Sequence, residues 1–218
     1  MNLVGNTIFL KRGSNNRWAV RLAQAVVIAA ACFLGAQPSM ADIWDDVVTA
    51  HLAGDDAKAF RLALPLARNG EARAQGFIGY LYMFGKGVEK DREQAMKWYQ
   101  SASEQGDAGA QANLCAALSI GNPADLDLDK AAYWCRLSAA QGYDGGLFHL
   151  GLLYYFGRGV EQNVLEAYVW LSFAELSARQ SELRSSAAKL KAEAKKGMTA
   201  AEIAEADRRI SAWKPTPP

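Results

Sequence analysis

Few side chains in this sequence combine in a pattern that catalysis requires. The two histidines, His51 and His149, lie far apart along the chain, whereas a zinc site takes three or four ligands at close spacing. The sequence contains neither the G-x-S-x-G motif of serine hydrolases nor a phosphate-binding loop. It therefore predicts a protein without a catalytic residue, a metal or a cofactor.

Two short segments resemble chemical motifs only superficially. Gly85-Lys86-Gly87 resembles a phosphate-binding turn, but it recurs as Gly157-Arg158-Gly159, which indicates a repeated loop between helices. The acidic pairs Asp45-Asp46 and Asp55-Asp56 lie near predicted helix starts, where negative charge is favourable in any protein. Neither segment predicts a binding site.

Cys115 and Cys135 leave two interpretations open. They lie 20 residues apart, one on each predicted helix of a hairpin. In an oxidising compartment they can form a disulfide, which would stabilise the fold by about 3 kcal/mol through loop closure. Alternatively, both are buried free thiols that act as small apolar side chains. The second interpretation is favoured because neighbouring repeats have glycine at the position of Cys115.

The first 41 residues have the pattern of a secretory signal. Their charged residues are all basic: Lys11, Arg12, Arg17 and Arg21. An apolar stretch follows at 22–36, too short for an ordinary membrane span, and Ser39-Met40-Ala41 forms a small-x-small site. The pattern predicts cleavage after Ala41 and a periplasmic or secreted protein. An uncleaved anchor and a lipid anchor on Cys32 are the alternatives.

The charge of the mature chain argues against nucleic-acid binding. Residues 42–218 carry 20 basic and 23 acidic side chains, a net charge of −3, whereas nonspecific nucleic-acid binding needs a basic surface. No later stretch is apolar enough to span a membrane. We expect a monomer or a weak dimer.

The mature chain repeats every 36 residues. The positions that recur are Ala59, Ala95, Ala131 and Ala167; Trp98, Trp134 and Trp170; Gly70, Gly106 and Gly142; and the helix-capping Asp91, Asp127 and Asn163. Each unit is predicted to contain two helices: 71–84 and 92–105, 107–120 and 128–141, and 143–156 with a longer helix from 164. The glycines Gly79 and Gly151 fall inside helices, which predicts close approach of the partner helix.

The two ends are predicted to differ from the central units. At the start, helices over 43–53 and 57–68 form a partial unit, with a kink at Pro65. At the end, the helix from Val164 is predicted to continue through position 178 to Lys196, because alanine replaces the expected glycine there. Thr199 begins a capping box ahead of a last helix over 200–213.

These elements predict an all-α fold. We expect a right-handed α–α superhelix of about three and a half helical-hairpin repeats over 42–178, with units at about 42–70, 71–106, 107–142 and 143–178. Residues 179–218 are predicted to form a helical cap and a short tail.

The repeat resembles the Sel1-like repeat family, a relative of the tetratricopeptide repeats. The residues that match its pattern are Ala74, Gly79, Tyr82, Gly85, Gly87, Val88, Asp91, Ala95, Trp98, Tyr99, Ala102 and Gly106. The third unit meets most of the pattern, whereas the second has lost its loop glycines. The resemblance implies a role in protein–protein interaction. Family members in the cell envelope resemble adaptors and regulators. A cysteine-rich branch is linked to penicillin-like compounds, but it has a cysteine pair in nearly every repeat, unlike this chain.

A concave groove lined by first helices is the expected interaction surface, as the resemblance to tetratricopeptide repeats implies. The predicted partner-binding residues are Arg73, Tyr80, Met83, Phe84, Phe148, Leu152, Tyr155 and Phe156, which flank small side chains of the second unit. We expect an apolar helix or an extended peptide, from another protein of the cell envelope, to bind there. Phe84 and Phe156 have a second interpretation, packing against their own loops. The alternative function is an envelope hydrolase or ligand-binder acting on cell-wall or penicillin-like compounds.

Overall fold

The computed structural model describes residues 39–121 and 126–214, and these ranges contain ten α-helices and no strand. The helices are α1 (Met40–Leu52), α2 (Asp56–Arg68), α3 (Ala72–Phe84), α4 (Arg92–Glu104), α5 (Ala108–Ser119), α6 (Leu128–Ala140), α7 (Asp144–Phe156), α8 (Val164–Ser177), α9 (Ser181–Lys195) and α10 (Ala200–Ala212). The predicted all-α superhelix is confirmed. The predicted signal, apart from its last three residues, and the candidate lipid site at Cys32 lie outside the described residues.

The helices pack in pairs, and each pair packs on the next. The pairs α3–α4, α5–α6 and α7–α8 make the most extensive contacts, followed by α8–α9 and α1–α2. First helices of successive units also contact each other, α3 on α5 and α5 on α7, whereas the second helices do not approach as closely. This difference curves the stack, so that the first helices form its inner layer.

The predicted helix starts are confirmed by their hydrogen bonds. The side chains of Asp91, Asp127 and Asn163 each accept a hydrogen bond from the backbone N–H three residues later. At the last helix, Thr199 and Glu202 form the predicted capping box. These bonds satisfy backbone donors that the first turn of a helix leaves without partners.

The helical glycines allow the close approach that their spacing predicted. A Cβ atom on Gly79 would lie 2.7 Å from the Tyr99 ring, and one on Gly151 would lie 2.7 Å from Cγ of Leu171. Any larger residue at either position would therefore push the two helices of its unit apart.

The predicted continuous helix from Val164 to Lys196 is wrong. Helix α8 ends at Ser177, the buried Ala178 takes an extended backbone conformation, and α9 begins at Ser181. The break lets α9 fold back on α8 and bury Ala187 and Ala194, whereas a straight helix would leave this apolar stripe in solvent. At the other end, α2 continues through the exposed Pro65 to Arg68.

Candidate functional site

Four positions on each first helix face the inner surface of the stack. In α3 they are Arg73, Phe77, Tyr80 and Phe84, at spacings of three or four residues that place them on one helix face. The repeat of 36 places Gly109, Asn113, Ala116 and Ile120 in α5, and Gly145, His149, Leu152 and Phe156 in α7. The inner surface is therefore a regular array in which each unit has its own set of side chains.

Two concavities lie between α3 and α5. The first, which we call the aromatic cavity, has a volume of about 370 Å³ and is lined chiefly by Trp44, Arg73, Phe77, Tyr80, Asn113 and Tyr143. The second, the apolar cavity, has a volume of about 290 Å³ and is lined chiefly by Met83, Phe84, Tyr99, Asn113, Ala116 and Ile120. Asn113 belongs to both, so the two cavities form one furrow along the helices.

Aromatic contacts hold the walls of the furrow in place. The rings of Trp44 and Phe77 meet edge to face at 5.9 Å, and those of Tyr80 and Phe84 lie 5.0 Å apart. The Arg73 guanidinium lies 4.5 Å above the Trp44 ring. Such contacts each contribute about 0.5–1.5 kcal/mol, enough to hold these side chains in position before any ligand arrives.

Tyr143 breaks the capping pattern of the first helices. The equivalent positions in the preceding units are Glu71 and Asp107, whose carboxylates cap α3 and α5, whereas Tyr143 makes no side-chain capping bond to α7. Its ring lies against Gly109 and Gly145, where a Cβ atom would come within 3.3 Å and 3.1 Å of it. The missing side-chain cap of α7 costs about 1 kcal/mol. The glycines at the second positions of α5 and α7 leave room for this ring in the furrow.

The surroundings of Tyr143 keep its hydroxyl protonated. Burial raises the pKa of this phenol, and the nearby carboxylates Asp144 and Asp107 raise it further. The side chain nevertheless remains 42% exposed. Tyr143 therefore presents a neutral ring and a hydrogen-bonding hydroxyl to the furrow at neutral pH.

The middle position of each first helix changes from apolar to polar along the stack. Phe77 in α3 is followed by Asn113 in α5 and His149 in α7. The side-chain amide of Asn113 makes no hydrogen bond to any residue in the described ranges. Burial lowers the pKa of His149 to about 4, so its imidazole is neutral at pH 7.

The structure divides the predicted partner-binding residues into two groups. Arg73 and Tyr80 line the aromatic cavity, and Met83 and Phe84 line the apolar cavity. The remaining four lie two units further along, on α7, where three are partly buried and Phe156 is exposed: Phe148, Leu152, Tyr155 and Phe156.

The exposure of the residues at the ends of the first helices bears on the interpretation that Phe84 and Phe156 pack against their own loops. Phe84, Ile120 and Phe156 share one repeat position and are 60%, 54% and 57% exposed. Most of each side chain is therefore open to solvent rather than covered by its own loop.

Besides Tyr99, which was predicted only as part of the repeat pattern, sequence reasoning missed four residues of the furrow. Phe77 and Asn113 share a repeat position one helical turn from predicted residues, so the 36-residue register could have identified them. Tyr143 was detectable as an aromatic residue at a capping position. No sequence pattern indicated that Trp44 lines the furrow, because its position depends on how α1 packs against α3.

The structure joins Cys115 and Cys135 by a disulfide, with a Cα–Cα distance of 5.3 Å. In the neighbouring units the same two positions hold Gly79 with Tyr99 and Gly151 with Leu171, two pairs in close contact. The disulfide thus fills the space that a large side chain over a glycine fills elsewhere.

Residues 39–121 and 126–214 contain neither a candidate metal site nor a candidate membrane span. No group of three or more His, Cys, Asp or Glu side chains in these ranges could hold a metal ion. None of the helices there is both long and apolar enough to cross a bilayer.

Comparison with known proteins identifies the repeat. Residues 72–107, 108–143 and 146–175 match the family model described as the Sel1 repeat. Three consecutive segments of the chain are therefore similar to this repeat. Sel1 repeats generally form non-enzymatic scaffolds for protein–protein interaction.

Solved structures and one curated protein show similarity to parts of the chain. A Sel1 repeat protein from Oxalobacter formigenes is 31% identical, with a TM-score of 0.54 over 62% of this chain and 55% of that one. A protective antigen of uropathogenic Escherichia coli with an SLR fold is 28% identical, with a TM-score of 0.40 over 70% of this chain and 40% of that one.

The curated relative is the chitin synthase regulator SKT5 of Saccharomyces cerevisiae, 43% identical over 49 residues. Those residues are 22% of this chain and 7% of the yeast protein. The similarity therefore covers a short stretch of repeat, and the chain spans about half of the Oxalobacter protein.

Proposed function

We propose that this protein is a periplasmic or secreted scaffold or regulator that binds a partner polypeptide in its concave groove. The observation that carries the proposal is the furrow between α3 and α5, where two cavities lined by partly exposed aromatic side chains lie end to end. Clustered aromatic side chains in preformed cavities are typical of the residues that supply most of the energy at protein interfaces. Phe148, Leu152, Tyr155 and Phe156 would extend the contact surface onto the third unit.

Affinity capture from an envelope extract, with identification by mass spectrometry, tests the groove. We expect the variant Tyr80→Ala/Phe84→Ala to lose at least 90% of a partner that the wild-type protein captures, because both rings line the furrow. Tyr133→Ala is the matched control, since Tyr133 is 55% exposed on the second helix α6. Equal capture by wild type and the Tyr80/Phe84 variant, with both folded by circular dichroism, would refute groove binding.

The proposed compartment has a separate test. Expression of the full chain in a bacterium, followed by intact-mass measurement of the soluble envelope fraction, should give a protein whose first residue is Asp42. A cytoplasmic protein that retains residues 1–41 would contradict the proposed export and leave groove binding to be judged by the capture experiment.

A further inference from the structure

The proposed function leaves the conformation of the bound polypeptide open, and the furrow offers observations that bear on it. The relevant features are the spacing of its two cavities, the unpaired amide of Asn113 between them, and the charge at one end.

The spacing comes from the positions of the lining residues along the first helices. On α3 the aromatic cavity is centred near position 77 and the apolar cavity near position 84. Seven residues of α-helix rise by about 10 Å, so the cavity centres are about that far apart. Two side chains of the bound chain must therefore leave the same face about 10 Å apart.

Two regular conformations meet that distance. Residues three apart in a polyproline II helix lie on one face at about 9 Å, and residues seven apart in an α-helix at about 10.5 Å. A β-strand does not fit, because its same-face residues lie about 7 Å or about 13 Å apart.

The side chain of Asn113 distinguishes between a bound polyproline II helix and a bound α-helix. Its amide makes no hydrogen bond within the described parts of the chain and lies where a ligand spanning both cavities would cover it. In a bound α-helix the backbone N–H and C=O groups already form hydrogen bonds within the helix. Such a ligand would therefore bury the Asn113 amide without a partner, at a cost of about 1–3 kcal/mol. A polyproline II segment has no internal hydrogen bonds, so a backbone carbonyl is free to accept from Asn113.

The charge at the aromatic end indicates which side chain lies there. Arg73 is exposed and stacks on Trp44, and it forms no ion pair with any residue in 39–121 or 126–214. Of the nearby carboxylates, Glu71 and Asp107 are already engaged in capping α3 and α5. Asp45 lines an adjoining concavity together with Arg73 and Trp44, without an ion pair to Arg73. A carboxylate of the ligand would complete this end of the furrow.

We propose that the furrow binds a polyproline II segment of the partner, with side chains three residues apart in the two cavities, a backbone carbonyl on Asn113 and an acidic residue beside Arg73. The proposal rests on the proposed function, since it specifies what the groove holds. Aromatic grooves suit this conformation because it is extended before binding and loses little entropy.

Peptide selection on the purified full-length protein tests the proposal. The probe is a random dodecapeptide phage library, and we expect selected sequences to share apolar or proline residues three apart with an adjacent aspartate or glutamate. In the best peptide, proline placed between the two anchors should change the affinity less than threefold, because a polyproline II segment tolerates it and an α-helix does not.

Variants of the protein complete the test by fluorescence anisotropy. Asn113→Ala should weaken the best peptide about tenfold, with Gln100→Ala, an amide on α4, as its matched control. Arg73→Ala should weaken it about fivefold and reduce the salt dependence, with the exposed Arg68 of α2, changed to Ala, as its control.

The outcomes distinguish the two proposals. Peptides with anchors seven apart that lose affinity in Tyr80→Ala would overturn the polyproline II segment but keep groove binding. An unchanged affinity in Asn113→Ala would also overturn it. If no peptide is selected, the polyproline II segment is overturned and groove binding is judged by the capture experiment. If selected peptides bind Tyr80→Ala as well as wild type, the furrow is not their binding site and the polyproline II proposal is overturned.

Discussion

Glycines inside the first helices differ in what surrounds them. At Gly151 a Cβ atom would lie 2.7 Å from Leu171, whereas at Gly76 its nearest neighbour would be Cβ of Ala110 at 3.4 Å. The first distance is a clash and the second an ordinary contact. Adding a side chain at these two glycines is therefore expected to have opposite effects on stability.

Alanine substitution at these two positions should change stability in opposite directions. Gly151→Ala should lower the free energy of unfolding by about 1–3 kcal/mol through overpacking. Gly76→Ala should raise it by up to about 1 kcal/mol, because alanine favours the helix and has room. Urea denaturation measures both. Two changes of the same sign would show that helix propensity or packing alone governs these positions.

His149 should make stability depend on pH. Its native pKa of about 4 lies below the ordinary value near 6.5, so the unfolded chain binds more protons between these values. Stability from this residue is complete above about pH 6.5 and is lost as the pH falls towards 4. The loss should reach about 1–3 kcal/mol.

The variant His149→Phe checks this pH dependence. Phenylalanine occupies the same repeat position in α3, as Phe77, so the substitution fits a Sel1 unit. Urea denaturation at pH 7 and at pH 4.5 should show a smaller drop in the variant than in wild type. Equal drops would mean that other groups cause the acid sensitivity.

In the second unit, the two helices of the hairpin are joined covalently. Cys115 and Cys135 link α5 to α6 at the positions where the third unit has Gly151 and Leu171. The third unit thus supplies a replacement pair of known fit.

Reduction should destabilise the wild type but not a redesigned unit. With dithiothreitol, the free energy of unfolding of the wild type should fall by about 3 kcal/mol, because the unfolded chain regains the entropy of the closed loop. Cys115→Gly/Cys135→Leu should unfold identically with and without reductant, as thermal denaturation can measure. An unchanged melting temperature of the wild type in reductant would mean that the thiols are not bridged.

The ten helices of the described residues form a stack in which each element stabilises its neighbours. At the C-terminal end, Arg209 of α10 makes two hydrogen bonds to Glu166 of α8, at 2.7 Å and 2.9 Å. Beyond it, the ring of Trp213 stacks on Phe173 at 4.2 Å. These contacts cover the last apolar face of the repeats, as solenoids require.

Removal of the stacked ring should affect one end of the stack. Trp213→Ala should lower local stability by about 2 kcal/mol, because it uncovers Phe173. Hydrogen exchange should then increase in α8, α9 and α10 and remain unchanged in α3 and α4, since each unit contacts only its neighbours. Lys214→Ala is the control. A uniform increase over all helices would indicate that the stack unfolds as one unit.

Repetition made most of the fold predictable from the sequence. Capping residues at 91, 127 and 163 recur every 36 positions, and the glycines at 79 and 151 are two such periods apart. Local hydrogen bonding and steric fit give each of these residues one structural role. The exception was the end of α8. There the sequence favours a continuous helix, and only the apolar stripe of α9 requires the chain to turn back.

The furrow was predictable only in part. The repeat register placed Arg73, Tyr80, Met83 and Phe84 on the inner face, because residues three and four apart share a helix face. The tertiary structure determined which residues line the other walls of the furrow. Trp44 of α1 contacts Arg73, and Tyr143 lies over two glycines instead of capping α7. Local sequence determines the helices and their faces, whereas the cavities depend on distances between helices, which packing of the whole stack sets.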